Sequence, residues 1–179
     1  GIILANDYTY MRMKPLSMNL QRCGVLNTIT TMLAGQSYKK KSINARTGFG
    51  TQKVGFDKVL VDAPCSGTGT IRKSLKTLRI WNPNMVRRLG GTQKQLIDTG
   101  FEVLKEGGTM VYSTCSLEPE ENEEVVDHLL EKYDNAKLEE IKLNGLNRSE
   151  SVLEFEGKKY NSEVKKCLRI WPQDNDSEG

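Results

Sequence analysis

The sequence lacks any apolar run long enough to span a membrane, and its first residues lack the pattern of a signal peptide. It has only 4 cysteines, without the close spacing of a disulfide framework, which indicates a reducing, cytosol-like compartment. The cysteines and the single histidine, His128, do not form a zinc-binding spacing. We therefore expect a cytoplasmic protein (nucleolar or nuclear if the source is eukaryotic) that binds neither a metal ion nor a membrane.

The chain also has little excess of charge of either sign. The net charge of the 179 residues is only +3, so the balance alone does not argue for nucleic acid. Basic residues nevertheless gather in two places, which are the segment 39–53 and the segment 72–79. Such clusters are more often solvated loops than binding sites. With 27 % charged and 37 % apolar residues, the composition is that of an ordinary globular domain.

Strand-like and helix-like segments alternate along the chain. We predict strands at Ile2–Ala5, Val25–Thr31, Phe56–Val61, Thr109–Ser113, Lys137–Leu143 and Lys166–Ile170. We predict helices at Tyr8–Cys23, from Pro83 to about Lys105, and from Glu118 onward. This alternation predicts an α/β fold with a doubly wound, mostly parallel sheet.

Two short motifs with a cysteine each follow predicted strands. The first is Asp62–Gly69 (DAPCSGTG) and the second is Tyr112–Leu117 (YSTCSL). Open α/β sheets bind their ligands at the carboxyl ends of strands, so both thiols are expected at one rim of the sheet. This placement predicts a nucleophile and a second, assisting thiol.

The residues around each cysteine favour a functional role over a purely structural one. Cys115 stands between small polar residues, before a helix amino terminus that would stabilise a thiolate. Pro64 stiffens the turn before Cys65, and Gly67 and Gly69 permit close approach of a ligand. Asp62 could accept a hydrogen bond from an amine or a hydroxyl group of a ligand. Taken singly, a buried structural cysteine and turn-forming glycines remain open alternatives.

The two motifs, in this order and separation, closely resemble those of the Nol/Nop/Sun family of RNA cytosine-5 methyltransferases. The similarity extends to Ala5–Arg12, Asn19–Gly24 and Gln93–Ile97, and thus spans nearly the whole chain. It implies a Rossmann-like, class I S-adenosylmethionine-dependent methyltransferase fold. It further implies a tRNA or rRNA partner that presents an unstacked cytosine. We expect the protein to act as a monomer.

The resemblance also implies roles for individual residues. Cys115 matches the nucleophile that adds to carbon 6 of cytosine, which activates carbon 5 toward the methyl donor. Cys65 matches the thiol that assists release of the product, and Asp62 is expected to face the base and the cofactor. Asp7 matches the acidic residue that holds the ribose hydroxyls of S-adenosylmethionine, and Arg12 matches a basic position that contacts the cofactor.

Two features differ from the family pattern. We expect the chain to lack the glycine-rich cofactor loop and the first strand of the fold, which would precede residue 1, and also the last strand. Residues 1–179 are therefore expected to form a partial catalytic domain, without an RNA-binding extension, that folds poorly alone. The register that starts at Asn27 leads to Ala34 and Gly35, where the family carries an aspartate near the adenine.

Three alternatives remain at this point. The chain could be a catalytically weak or inactive RNA-binding module for ribosome assembly on the same fold. It could be a DNA cytosine-5 methyltransferase, although the second cysteine motif argues against that. Finally, Cys65 and Cys115 could form a redox pair if their loops touch.

Overall fold

A computed structural model describes residues 1–38 and 55–177. Its strands are β1 (Ile3–Asp7), β2 (Thr28–Met32), β3 (Phe56–Asp62), β4 (Leu104–Ser113), β5 (Glu154–Phe155) and β6 (Lys158–Lys159). Its helices are α1 (Tyr10–Arg22), α2 (Lys76–Ile80), α3 (Pro83–Glu102), α4 (Glu123–Lys132) and α5 (Pro172–Asn175). Of the two basic segments, 39–53 lies outside the described residues, whereas 72–79 is described.

The chain divides into two compact units, which we describe separately. The first comprises residues 1–58 and 99–109, and the second comprises residues 59–98 and 110–179. No helix of the described residues is both long and apolar enough to cross a membrane.

In the first unit, β1 pairs with β2 in parallel, with Ile3 opposite Thr28 and Asp7 opposite Met32. Helix α1 connects them and tolerates Pro15 in its interior. Gly24 follows the end of this helix, and its φ of +65° is the left-handed conformation expected at that position. Met13 is the buried residue of α1. This strand–helix–strand unit confirms the order predicted for residues 2–31.

The Asn6 side chain joins the carboxyl ends of β1 and β2. Its amide nitrogen donates to the Leu33 carbonyl at 3.0 Å, and its oxygen accepts from the Leu33 N–H at 3.1 Å. The hydroxyls of Thr31 and Tyr38 also donate to this oxygen, each at 3.1 Å. The chain after β2 is therefore held next to the end of β1, where Asp7 lies.

Strands β3 and β4 pair in a separate two-stranded sheet. In the second unit their last residues lie together, because the Ala63 N–H donates to the Ser113 carbonyl at 3.0 Å. Two strands that end at the same hydrogen bond run in the same direction, so the two cysteine motifs leave one edge of this sheet. The α/β fold class with parallel strand pairing is thus confirmed.

The core of the second unit forms between helices. Helix α4 buries Val125, Val126 and Leu129, as its spacing predicts. Val126 packs with Tyr160 and Val164 of the later chain. Helix α3 starts as predicted, because the Asn82 side chain accepts a hydrogen bond from the Met85 N–H at 2.9 Å. The pair Gly90-Gly91 does not interrupt it.

Several predicted boundaries were wrong. Helix α3 ends at Glu102, and the expected turn at 106–108 lies within β4, where Gly107 takes a φ of +76°. Neither Lys137–Leu143 nor Lys166–Ile170 is a strand. The first segment has no partner strand among the described residues. In the second, Lys166 ends the short 3-10 helix Ser162–Lys166, and Arg169 makes only an isolated bridge to Ser149. Cys23 is exposed.

Candidate active site

The two cysteine sulfurs lie next to each other. The Sγ atoms of Cys65 and Cys115 are 2.8 Å apart, and the Cys115 N–H donates to the Cys65 sulfur at 3.3 Å. Both cysteines are free, and the distance exceeds the roughly 2.05 Å of a disulfide bond. Cys115 is exposed and Cys65 is half-buried. The structure therefore brings together the two thiols that the motifs predicted, with Cys115 more open to a ligand.

Cys65 has a strongly perturbed environment. Burial, reinforced by its hydrogen bond with Cys115, raises the pKa of the Cys65 thiol to about 12. At neutral pH it therefore holds its proton. A protonated thiol in contact with a second sulfur can donate a proton or a hydrogen bond to a group bound there.

The Cys65 loop is folded tightly against the Cys115 loop. Gly67 takes a φ of +73°, a conformation that favours glycine. The Gly69 N–H donates to the Cys115 carbonyl at 3.0 Å, and a Cβ atom on Gly69 would lie 2.8 Å from that same oxygen. The loop thus needs glycine at 69 for close approach to the backbone of the other loop.

Polar side chains hold the Cys115 loop in place. The Thr68 hydroxyl accepts from the Leu117 N–H at 2.8 Å. The Asn122 side chain accepts from the Thr114 hydroxyl at 2.6 Å and donates to the Ser116 carbonyl at 2.9 Å. The small polar residues that flank Cys115 therefore serve as hydrogen-bond partners of the loop.

Glu121 lies between the two loops and is fully buried. Its carboxylate accepts hydrogen bonds from the Ser66 N–H at 2.9 Å and from Gln93 Nε2 at 2.9 Å. The hydroxyls of Ser66 and Ser116 also donate to it. In the sequence, Glu121 is one of five glutamates from Glu118 to Glu124, and no local pattern distinguishes it as a buried one.

A second buried charge supports the same region from the carboxyl-terminal side. Arg169 donates to the Glu123 carboxylate through Nε at 2.8 Å and through Nη2, and its Nη1 donates to the Leu117 carbonyl at 2.9 Å. The guanidinium group also stacks on the Trp171 ring, 5.1 Å from its centroid. The sequence did not indicate this role of Arg169, because an arginine in a strand-like segment is normally expected at the surface.

The remaining predicted site residues lie in both units. Asp62 is the last residue of β3 and is exposed. In the first unit, Asp7 ends β1 and accepts a hydrogen bond from the Thr9 N–H at 3.1 Å, while Arg12 Nε lies 3.8 Å from its other oxygen. The N-cap of α1 is Thr9. Ala34 lies two residues after the end of β2 and has no acidic side chain.

These features define an α/β protein with parallel strand pairing, which has a carboxylate at a strand end in the first unit and two thiols after strand ends in the second unit, positions where such proteins bind ligands. A sequence model described as 16S rRNA methyltransferase RsmB/F matches residues 1–179. The chain belongs to this family, which confirms the Nol/Nop/Sun resemblance. Methyltransferases of this type generally use S-adenosylmethionine.

Named relatives are similar over the whole of this chain. It is 48 % identical over 178 residues to the tRNA (cytosine(49)-C(5))-methyltransferase of Pyrococcus abyssi, covering 99 % of this chain and 53 % of the relative. It is 39 % identical to ribosomal RNA small subunit methyltransferase F of Aliivibrio fischeri, covering 100 % of this chain and 34 % of the relative. The chain thus spans between a third and about half of these relatives' lengths.

A solved structure has the same fold. A methyltransferase homolog protein from Pyrococcus horikoshii matches with a TM-score of 0.71 and 34 % identity, over 99 % of this chain and 50 % of that one. The NSun6 structure from the same organism matches with a TM-score of 0.72 and 26 % identity, over 96 % of this chain and 38 % of that one.

Proposed function

We propose that the protein containing this chain transfers a methyl group from S-adenosylmethionine to carbon 5 of a cytosine in tRNA or rRNA. The observation that carries the proposal is the contact between the sulfurs of Cys65 and Cys115 at 2.8 Å. Family membership and the names of the relatives support the same reaction.

The two thiols would have different roles in the reaction because their surroundings differ. Cys115 is exposed and would add its sulfur to carbon 6 of the cytosine, which makes carbon 5 nucleophilic. Cys65, whose raised pKa keeps it protonated, is suited to pass its proton to the Cys115 sulfur as the bond from that sulfur to carbon 6 breaks, and then to take up the proton that carbon 5 releases. Asp62, at the end of β3 in the same unit, would hold the ring nitrogen or the exocyclic amine of the base.

The residues of the first unit fit the ribose of the cofactor. A carboxylate can accept hydrogen bonds from two ribose hydroxyls, and among the described residues one Asp7 oxygen is paired only with Arg12, at 3.8 Å. Asp7 and Arg12 would therefore bind S-adenosylmethionine, which supplies the methyl group when bound. Ala34 offers no acceptor to the adenine, so we expect this contact to be missing.

RNA would meet a basic surface close in sequence to Cys65. The exposed residues Arg72, Lys73, Lys76 and Arg79 follow the Cys65 loop in the second unit. Arg72 pairs with Asp176 at 2.7 Å. Lysine and arginine side chains that contact phosphates supply affinity without reading sequence.

The test replaces each cysteine in the natural-length protein and follows labelled methyl transfer to RNA. We expect Cys115→Ala to abolish methyl transfer and Cys65→Ala to accumulate a covalent protein–RNA adduct on denaturing gels. Cys23→Ala is the matched control, because this exposed thiol lies in the other unit and should change neither readout. If both site variants methylate RNA normally, the proposed roles are wrong. RNA binding without methyl transfer by the unaltered protein would favour the binding-module alternative, and preference for the deoxy substrate would favour a DNA methyltransferase.

A further inference from the structure

Close to the two thiols, the Glu121 carboxylate accepts hydrogen bonds from four donor groups. The residue has no exposed surface, and its carboxylate accepts from the Ser66 N–H, the Ser66 and Ser116 hydroxyls and Gln93 Nε2. Among the described residues, none of these partners carries a charge. A carboxylate buried without a cation is costly unless its oxygens are well supplied with donors.

The identity of the donors shows what this buried carboxylate does. Ser66 directly follows Cys65, and Ser116 directly follows Cys115. One carboxylate oxygen thus connects the two loops at the positions next to the two thiols. The two serine hydroxyls also lie 3.0 Å from each other, so the three side chains form one closed cluster.

Gln93 extends the same support to the other side of Cys65. Its Nε2 atom donates to Glu121 at 2.9 Å and also to the Pro64 carbonyl at 2.8 Å. Both neighbours of Cys65 are therefore attached to Glu121, one directly and one through the amide of Gln93. Helix α3 positions this amide, because Gln93 is itself completely buried.

We propose that Glu121 is a positioning residue that fixes the spacing of the Cys65 and Cys115 sulfurs, an inference that gives the thiol pair of the proposed function its geometry. It touches neither sulfur and acts through Ser66 and Ser116. An ionised carboxylate accepts from all of its donors, whereas the amide of glutamine presents an N–H group toward at least one of them. Glu121→Gln should therefore loosen the loops while it keeps the volume of the side chain.

The spacing of two thiols can be measured without any methyl transfer, by thiol–disulfide exchange with glutathione. In this reaction Cys65 and Cys115 lose two protons and two electrons and form a disulfide, and oxidised glutathione takes up both and becomes two thiols. The equilibrium constant reports how well the protein holds the two sulfurs together. Peptide mapping by mass spectrometry assigns the disulfide to this pair and separates it from Cys23 and Cys167.

The natural-length protein, Glu121→Gln and the control Glu124→Gln are compared. Glu124 is a half-buried carboxylate of α4 that pairs with Lys94 at 2.8 Å and with Lys158 at 3.7 Å, and among the described residues it makes no hydrogen bond to either cysteine loop. We expect Glu121→Gln to lower the equilibrium constant at least tenfold, which raises the reduction potential by about 30 mV. Glu124→Gln should change it less than about twofold.

A purely structural role for Glu121 would lower the thermal stability of Glu121→Gln and leave the exchange equilibrium of its folded molecules unchanged. That result would overturn the proposal. If Glu121→Gln does not fold, as judged by circular dichroism, Ser116→Ala decides, because it removes one connection and leaves Glu121 bound to Ser66 and Gln93. An unchanged equilibrium constant in folded Ser116→Ala would then refute the inference. Failure of the unaltered protein to methylate RNA would refute the proposed function and leave the exchange result readable.

Discussion

The replacement of Gly69 by alanine tests directly whether close packing of the two loops matters. The new Cβ atom would lie 2.8 Å from the Cys115 carbonyl oxygen, which is backbone and cannot rotate away. It would also lie 3.6 Å from Leu117 Cδ2, which is ordinary contact. One of the two loops therefore has to move, and the hydrogen bond from the Gly69 N–H to Cys115 has to lengthen beyond 3.0 Å.

The expected cost combines two effects. Overpacking of a well-packed site costs about 1–3 kcal/mol, and a weakened hydrogen bond costs up to about 1 kcal/mol. We expect Gly69→Ala to lower the free energy of unfolding by about 2–3 kcal/mol in urea titrations, with an unchanged m-value. Because the displaced atoms belong to Cys115 itself, methyl transfer should fall more than RNA binding.

Gly91→Ala is the matched control for this prediction. A Cβ atom on Gly91 would meet nothing within 4 Å, and the residue is exposed inside helix α3. Alanine favours a helix over glycine by about 1 kcal/mol, so this variant should be slightly more stable. If Gly69→Ala is as stable and as active as the unaltered protein, the close contact between the loops does not exist in solution.

Two further predictions concern the charges and thiols of the second unit. Arg169→Ala should lower the free energy of unfolding by about 3–5 kcal/mol, because it leaves the buried Glu123 without its charged partner. Replacement of the exposed Arg87 by alanine is the control. A loss below about 1 kcal/mol for Arg169→Ala in urea titrations would contradict the prediction. The pKa of Cys65 is raised from 9.0 to about 12 in the folded state, and its contribution to the free energy of unfolding is fully present below pH 9. This contribution should fall as the pH rises from 9 toward 12, because the unfolded chain loses the thiol proton first. Urea titrations of the protein and of Cys65→Ala across that range measure the difference, and parallel curves would show that the pKa is not raised.

The motifs could be interpreted from the sequence because their chemistry is local. Cys65 and Cys115 each follow a strand, and parallel strands place their carboxyl ends at one edge of a sheet. Asn82 and Pro83 predicted the start of α3 for the same reason, since a cap and a first-turn proline act on adjacent backbone groups. The roles assigned to Cys65, Cys115, Asp62, Asp7 and Arg12 remain predictions.

The errors fall where pairing or burial depends on distant residues. Lys137–Leu143 contains the apolar residues Leu138, Ile141 and Leu143, but a local pattern cannot supply the partner that a strand needs. The prediction for Lys166–Ile170 was wrong for a related reason, because the chain forms a 3-10 helix up to Lys166 and then pairs only at Arg169 with Ser149. The turn expected at 106–108 is part of β4, which absorbs the left-handed Gly107.

The sequence by itself determined the order of strands and helices, the two cysteine motifs and the family, because each of these is written in residues close together along the chain. Only the tertiary structure decided that the sulfurs meet at 2.8 Å, that Glu121 is buried between Ser66 and Ser116, and that burial raises the pKa of the Cys65 thiol. These properties depend on desolvation and on hydrogen bonds between residues about fifty positions apart, which no local pattern encodes.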